Sequence, residues 1–135
     1  MIETTLMNII RDNIDNMLVS KNYSTKNDNY IVVYDMGSDP ININDETRTY
    51  QVVYHIEVAS TDFNEAKRTA YNVYELMNNL KQVDIDIKET DISIKNATGV
   101  KLLKLIPERL PSRFGVEDDK MIYTLTYLAP LVVYC

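Results

Sequence analysis

The chain has 135 residues, 45% of them hydrophobic and 25% charged, the size and balance of one soluble globular domain over 1–135 with a single core. Its formal charge of −6 is the wrong sign for a general nucleic-acid binder, which neutralises phosphates with Lys and Arg. One cysteine, Cys135, excludes an internal disulfide, and no apolar run approaches the roughly 20 residues that span a bilayer. The stretch MIETTLMNIIRDNIDNML mixes acids into its apolar residues, unlike a secretory leader, so a soluble protein made inside a cell, with no membrane partner, is expected.

In chain order, the spacing of Ile2, Leu6, Ile9, Ile10, Ile14, Met17 and Leu18 predicts a helix over 2–20. YIVVYDM, 30–36, is β-branched and aromatic and reads as a strand, whereas GSDPININDET, 37–47, carries the Gly, Pro, Asn and Asp of a loop. The segment 48–61 alternates. Tyr50, Val52, Tyr54, Ile56 and Val58 take one face, and Gln51, Val53, His55, Glu57 and Ala59 take a mixed one. Thr61 or Asp62 can cap a second helix, Glu65 completing a capping box with Asp62, and its seam is Phe63, Ala66, Ala70, Val73, Met77 and Leu80. Period two returns at Val83, Ile85, Ile87, Ile92 and Ile94, and after the turn at 96–99 a further strand covers 100–106. The stretch RLPSRFGVEDDK, 109–120, reads as a charged loop, and 121–134 as the last strand, with Pro130 ending or bending its pairing. This order predicts an α+β fold: a two-layer sandwich of mostly antiparallel sheet with two helices packed on one face.

No constellation points to catalysis. His55, the only histidine, has Glu57 two residues on, an acid–base couple in principle, but without a nucleophile or a second metal-ligating His. DIDIKETD, 84–91, offers Asp84, Asp86, Glu89 and Asp91, yet the sixth place that a calcium loop gives to Gly is Glu89, and the alternation fits the wet face of a strand. Glycines at 37, 99 and 115 cannot write a phosphate-binding loop. The 10 tyrosines lack the basic stripe of a base-stacking surface and suit core and interface positions. Neither a metal nor a cofactor is expected.

The order of elements, with VVYDMGSDP, TYQVVYHIEVAS, the seam Phe63–Leu80 and the closing IPERLPSRFGVEDDKMIYTLTYLAPLV, resembles the bacteriophage tail terminators. These are also known as minor capsid or tail-completion proteins, with collar proteins of phage-tail-like bacteriocins as relatives. The resemblance covers most of the chain as a pattern of elements. It implies a non-enzymatic homohexameric ring that caps the tail tube, ends tail polymerisation and offers a surface to the head–tail connector or sheath. Such a ring assembles in the bacterial cytoplasm and resides in the particle. An acidic lumen would let duplex DNA pass without adhering. A ring needs a heterologous interface, and the candidate residues are Arg109, Arg113, Asp118 and Asp119 of the charged loop with His55 and Glu57 of the mixed strand face. The alternative is a small non-catalytic binding, adaptor or head-completion protein.

Overall fold

The computed structural model describes residues 1–22, 28–43, 47–90 and 96–134, and of these 38–43, 47 and 48 by backbone alone. Helix α1 is Glu3–Asn13, with Leu6 and Ile10, one turn apart, wholly buried. It stops well short of the expected residue 20. Ile14 leaves it in an extended conformation, because Asn13, Asp15 and Asn16 are residues whose side chains compete for backbone hydrogen bonds. Asn13 Nδ2 donates to the Ile9 carbonyl at 2.8 Å. Strand β1, Leu18–Lys21, follows instead, with Met17 and Val19 buried and Leu18 exposed. That two-residue alternation is masked in the sequence by helix-like spacing just upstream.

Strands β2, Asn29–Ile43, and β3, Thr47–Ser60, pair antiparallel from Asn29↔Ser60 to Ile43↔Arg48. Much of the expected loop over 37–47 is therefore strand. Register shifts between Asp35 and Ser38 and between Pro40 and Asn42 accommodate the two loop-forming residues. Gly37 has φ 111°, a conformation glycine enters without penalty, and Pro40 borders the second bulge.

Helix α2, Phe63–Asn78, starts where the sequence places it. Asp62 Oδ1 accepts from the backbone N–H of Asn64 at 3.1 Å and of Glu65 at 3.2 Å. The reciprocal half of the capping box is replaced. The Asp62 N–H donates to Ser60 Oγ at 3.0 Å, and the Glu65 carboxylate turns to Asn16 and Arg68. Ala66, Ala70, Val73 and Met77 are wholly buried, but Phe63 is 46% exposed. It belongs to the first turn, where the chain is still arriving at the sheet, and Thr69 takes a buried place on the seam.

The remaining strands are β4 Lys81–Asp86, β5 Gly99–Lys104, β6 Ile106–Pro107, β7 Ser112–Glu117 and β8 Lys120–Tyr134. Ile87 begins a short 3-10 turn capped by Asp86 rather than continuing β4, and Ile92 and Ile94 lie outside the described residues. The sheet order is β1-β2-β3-β8-β5-β4, with β6 and β7 also paired to β8. Among the described residues only β1–β2 is a parallel pair. Pro130 neither ends nor interrupts β8. It pairs with Gln51, while on the other flank it falls between the residues registered with β5 and those registered with β6, where a missing N–H costs no ladder bond.

Both helices cover one face of the sheet, as expected. Leu6 and Ile10 of α1, Ala70, Val73 and Met77 of α2, and the inward residues of the central strands form one core cluster. The deepest of these, including Ile31, Tyr54, Ile56, Leu125 and Leu131, are fully buried, and each such side chain contributes about 1.5–3 kcal/mol. Tyr54 is held at its polar tip as well, its hydroxyl accepting from the Ile2 N–H at 2.8 Å. The α-ammonium of Met1 ties α1 to β2 through Glu3 at 2.5 Å and Asp35 at 2.6 Å.

Candidate functional site

The segment expected as a charged loop is an ordered β-hairpin. Asp118 and Asp119, both at positive φ (51° and 64°), make the two-residue turn between β7 and β8, flanked by the pair Glu117↔Lys120. Two successive left-handed residues match the right-handed twist of the strands they join, and Asp tolerates that conformation. The dipeptide is less diagnostic than Asn-Gly, and the Gly sits elsewhere. Gly115, at φ 142°, serves a bulge at which Phe114 has no registered partner on β8.

This hairpin exposes apolar area that the sequence reading passed over. Leu110 is 58%, Phe114 68% and Val116 53% exposed, whereas single surface hydrophobics are ordinary and clusters of large ones mark recognition. Exposed Arg109 and Arg113 flank Leu110 and precede Phe114 and Val116, and exposed Glu117, Asp118 and Asp119 follow them. None of the five charged side chains forms an ion pair among the described residues. Of the four residues singled out in the sequence, Arg113 lies in β7, Arg109 just before it and Asp118 and Asp119 in the turn that follows it. They surround an apolar centre rather than each other.

His55 and Glu57 lie elsewhere, on the sheet face away from the helices. The register aligns Tyr34, His55 and Thr126 in one row and Val32, Glu57 and Thr124 in the next. His55 Nδ1 lies 3.1 Å from Thr126 Oγ1, and its ring stands 6.4 Å from that of Tyr34. Glu57 is occupied by a different partner, accepting from the Tyr30 hydroxyl at 3.0 Å. The two are neighbours without forming a relay, so an acid–base couple is not assembled here. Tyr30 is buried on this face with Val32, Ala59 and Ile122, and Lys120 Nζ sits 5.9 Å above its ring. Burial, then the charge and hydrogen bond of Glu57, push the Tyr30 hydroxyl pKa well above its ordinary value.

Beyond the His55 row the face turns apolar. Val53, Leu128 and Ile106 are registered in line and border an open groove of about 310 Å³ that Glu108 and Thr126 also line. Asp84 pairs with Lys101 at 3.7 Å and Asp86 caps a turn; Asp91 and Cys135 lie outside the described residues. Among the described residues no group of three His, Cys, Asp or Glu is placed to hold a metal ion, and no helix is long and apolar enough to cross a membrane.

No family model matches the chain, and neither does any curated protein. Among solved structures, its fold is similar to that of a chain in the virion of a native gene transfer agent (GTA) particle. The TM-score is 0.53 at 15% sequence identity, and the likeness covers 93% of this chain and 84% of that one.

Proposed function

We propose that the chain is a non-enzymatic structural protein of a phage or phage-like particle. Within that class we propose that it forms a ring, hexameric in the simplest case, which caps the tail tube and presents its far side to a connector or collar. The observation that carries this reading is the likeness of fold, over nearly the full length of both chains, to a component of a gene transfer agent virion. Two features of the surface support it. The hairpin edge around Arg109, Arg113, Asp118 and Asp119 joins exposed apolar side chains to unpaired charges, the composition of a contact region. The opposite sheet face around His55 and Glu57 is a second, different surface, and rings are built from two unlike patches. The formal charge of −6 keeps an assembled ring from adhering to duplex DNA passing through it.

Incubating the purified chain with tail tubes and imaging the mixture by electron microscopy tests the reading. An annulus at tube ends, with a hexamer-sized species in mass photometry, is the expected result. Tubes that stay uncapped beside a chain of monomer mass remove the ring, and binding at a head vertex instead makes the chain a head-completion protein.

A further inference from the structure

We propose that the outer edge of β7 is a self-complementary docking strand whose occupant is β7 of a second copy of this chain, laid antiparallel across a two-fold axis. Three observations meet there. First, β7 pairs with β8 on one side and with nothing on the other among the described residues, so its outward N–H and C=O groups are a template for another strand. Second, Phe114 and Val116 at the centre of this edge, and Leu110 just before β7 begins, are all more than half exposed, so a partner strand removes large apolar area from water as well as completing a ladder.

The third observation selects the partner. Along the chain the edge runs basic, apolar, acidic: Arg109 and Arg113, then Phe114 and Val116, then Glu117, Asp118 and Asp119. Read antiparallel against itself, that order sets each copy's arginines beside the other's acidic turn and brings the two apolar centres together. A parallel arrangement sets like charge on like. So does β1, the strand at the far end of the same rows of the sheet. Registered rows run from Leu18 through Tyr30, Ala59 and Ile122 to Gly115, and from Val19 through Ile31, Val58 and Tyr123 to Arg113. A neighbour's β1 continued in that register carries Lys21 toward Arg109 and Arg113, and Asp15 toward Asp118. Opposed charges fix register and reject wrong partners, and only the self-pairing satisfies them. The contact is isologous, whereas ring subunits meet through unlike patches, so a β7 edge paired with its own copy is closed to a ring neighbour, and the dimer is a state of the free chain that ring assembly at this edge displaces.

Sedimentation equilibrium of the full chain, alone in solution, decides the matter. The wild type is expected to dimerise reversibly. Arg113→Glu and Glu117→Arg each oppose like charges at both ends of the contact and are expected to weaken dimerisation about tenfold. The double variant R113E/E117R restores opposite charges and is expected to recover an affinity within about threefold of wild type. Phe114→Ser is expected to leave a monomer, and amide exchange of β7 to slow as wild-type concentration rises. A wild type of single-chain mass at its highest soluble concentration overturns the proposal. A double variant as weak as either single overturns it too, since Arg113 and Glu117 then face another patch or another protein. Rings on tail tubes are scored separately, so a swap that restores the dimer where no annulus forms keeps the edge contact and removes the ring.

Discussion

The middle of β3 and the β7 edge are both rich in apolar side chains, and the fold treats them in opposite ways. Val52, Tyr54, Ile56 and Val58 are wholly buried, because β3 is flanked by β2 and β8 and its inward face is roofed by the helices. Phe114 and Val116, with Leu110 just before them, stay exposed, because among the described residues β7 has one neighbour strand and lies beyond that roof. Hydrophobicity alone therefore does not say whether a residue serves stability or contact; its place in the sheet does. The sharpest way to break this contrast is to cut into the first region. Ile56→Ala removes a fully buried side chain and is expected to lower unfolding free energy by about 2–5 kcal/mol, measured by chemical denaturation with unchanged slope. A loss below about 1 kcal/mol would show that the centre of β3 is not the packed core described here.

Two buried tyrosines separate packing from polar satisfaction within that core. The Tyr54 hydroxyl accepts from the Ile2 N–H at 2.8 Å, whereas the Tyr127 hydroxyl is buried without a partner among the described residues, and burial raises its pKa. Tyr54→Phe strands a buried backbone donor and is expected to cost about 1–3 kcal/mol. Tyr127→Phe removes an unsatisfied group and is expected to be neutral or stabilising, with any loss under about 0.5 kcal/mol. Equal melting shifts for the two would contradict these assignments.

How much of this was legible before the fold was known follows from the same contrast. Residues with two constraints at once were readable: in β3 alternation and β-branching agree, and in α2 the Asp62 cap and the three-four seam agree. Phe63 fits the seam by spacing yet stays exposed, because the periodicity of a helix says nothing about where its first turn meets the sheet. The boundary at Asn13 was hidden because Met17 and Leu18 continue a helical spacing by chance. Extension of β2 to Ile43 was hidden because bulges let Gly37 and Pro40 sit in a strand. At the candidate site, the charges of Arg109, Arg113, Asp118 and Asp119 stood out. Phe114 and Val116 did not, since exposure is a tertiary property, although a pair of Asp residues between two short apolar stretches was a usable hairpin signal.

A smaller effect probes the sheet face away from the helices, which lies between the two extremes. Tyr30 is 7% exposed and its hydroxyl donates to Glu57; burial and that carboxylate raise its pKa above the ordinary 10.0. The folded state therefore holds this proton more tightly than the unfolded chain. Its contribution is complete below pH 10 and is lost as pH rises from there toward the folded value. The melting temperature is expected to fall across this alkaline range, and Tyr30→Phe, which cannot ionise, is expected to flatten part of that fall. The part due to Tyr127 remains. An unchanged alkaline profile in Tyr30→Phe would mean that the Glu57 contact does not hold the proton.

The least effect on stability is expected where the apolar surface is largest. Phe114 is 68% exposed and, with no registered partner on β8 at its bulge, has little to lose when it is replaced. Phe114→Ser and Arg113→Glu are expected to shift unfolding free energy by under about 0.5 kcal/mol, read at protein concentrations low enough for the chain to be monomeric. At higher concentration the wild type gains a further rise in melting temperature, Arg113→Glu a smaller one and Phe114→Ser none, because a partner that binds the folded form alone stabilises it by mass action. A large melting shift in either variant at low concentration would place that residue in the packing of its own chain, and the edge would then belong with the middle of β3 and not opposite it.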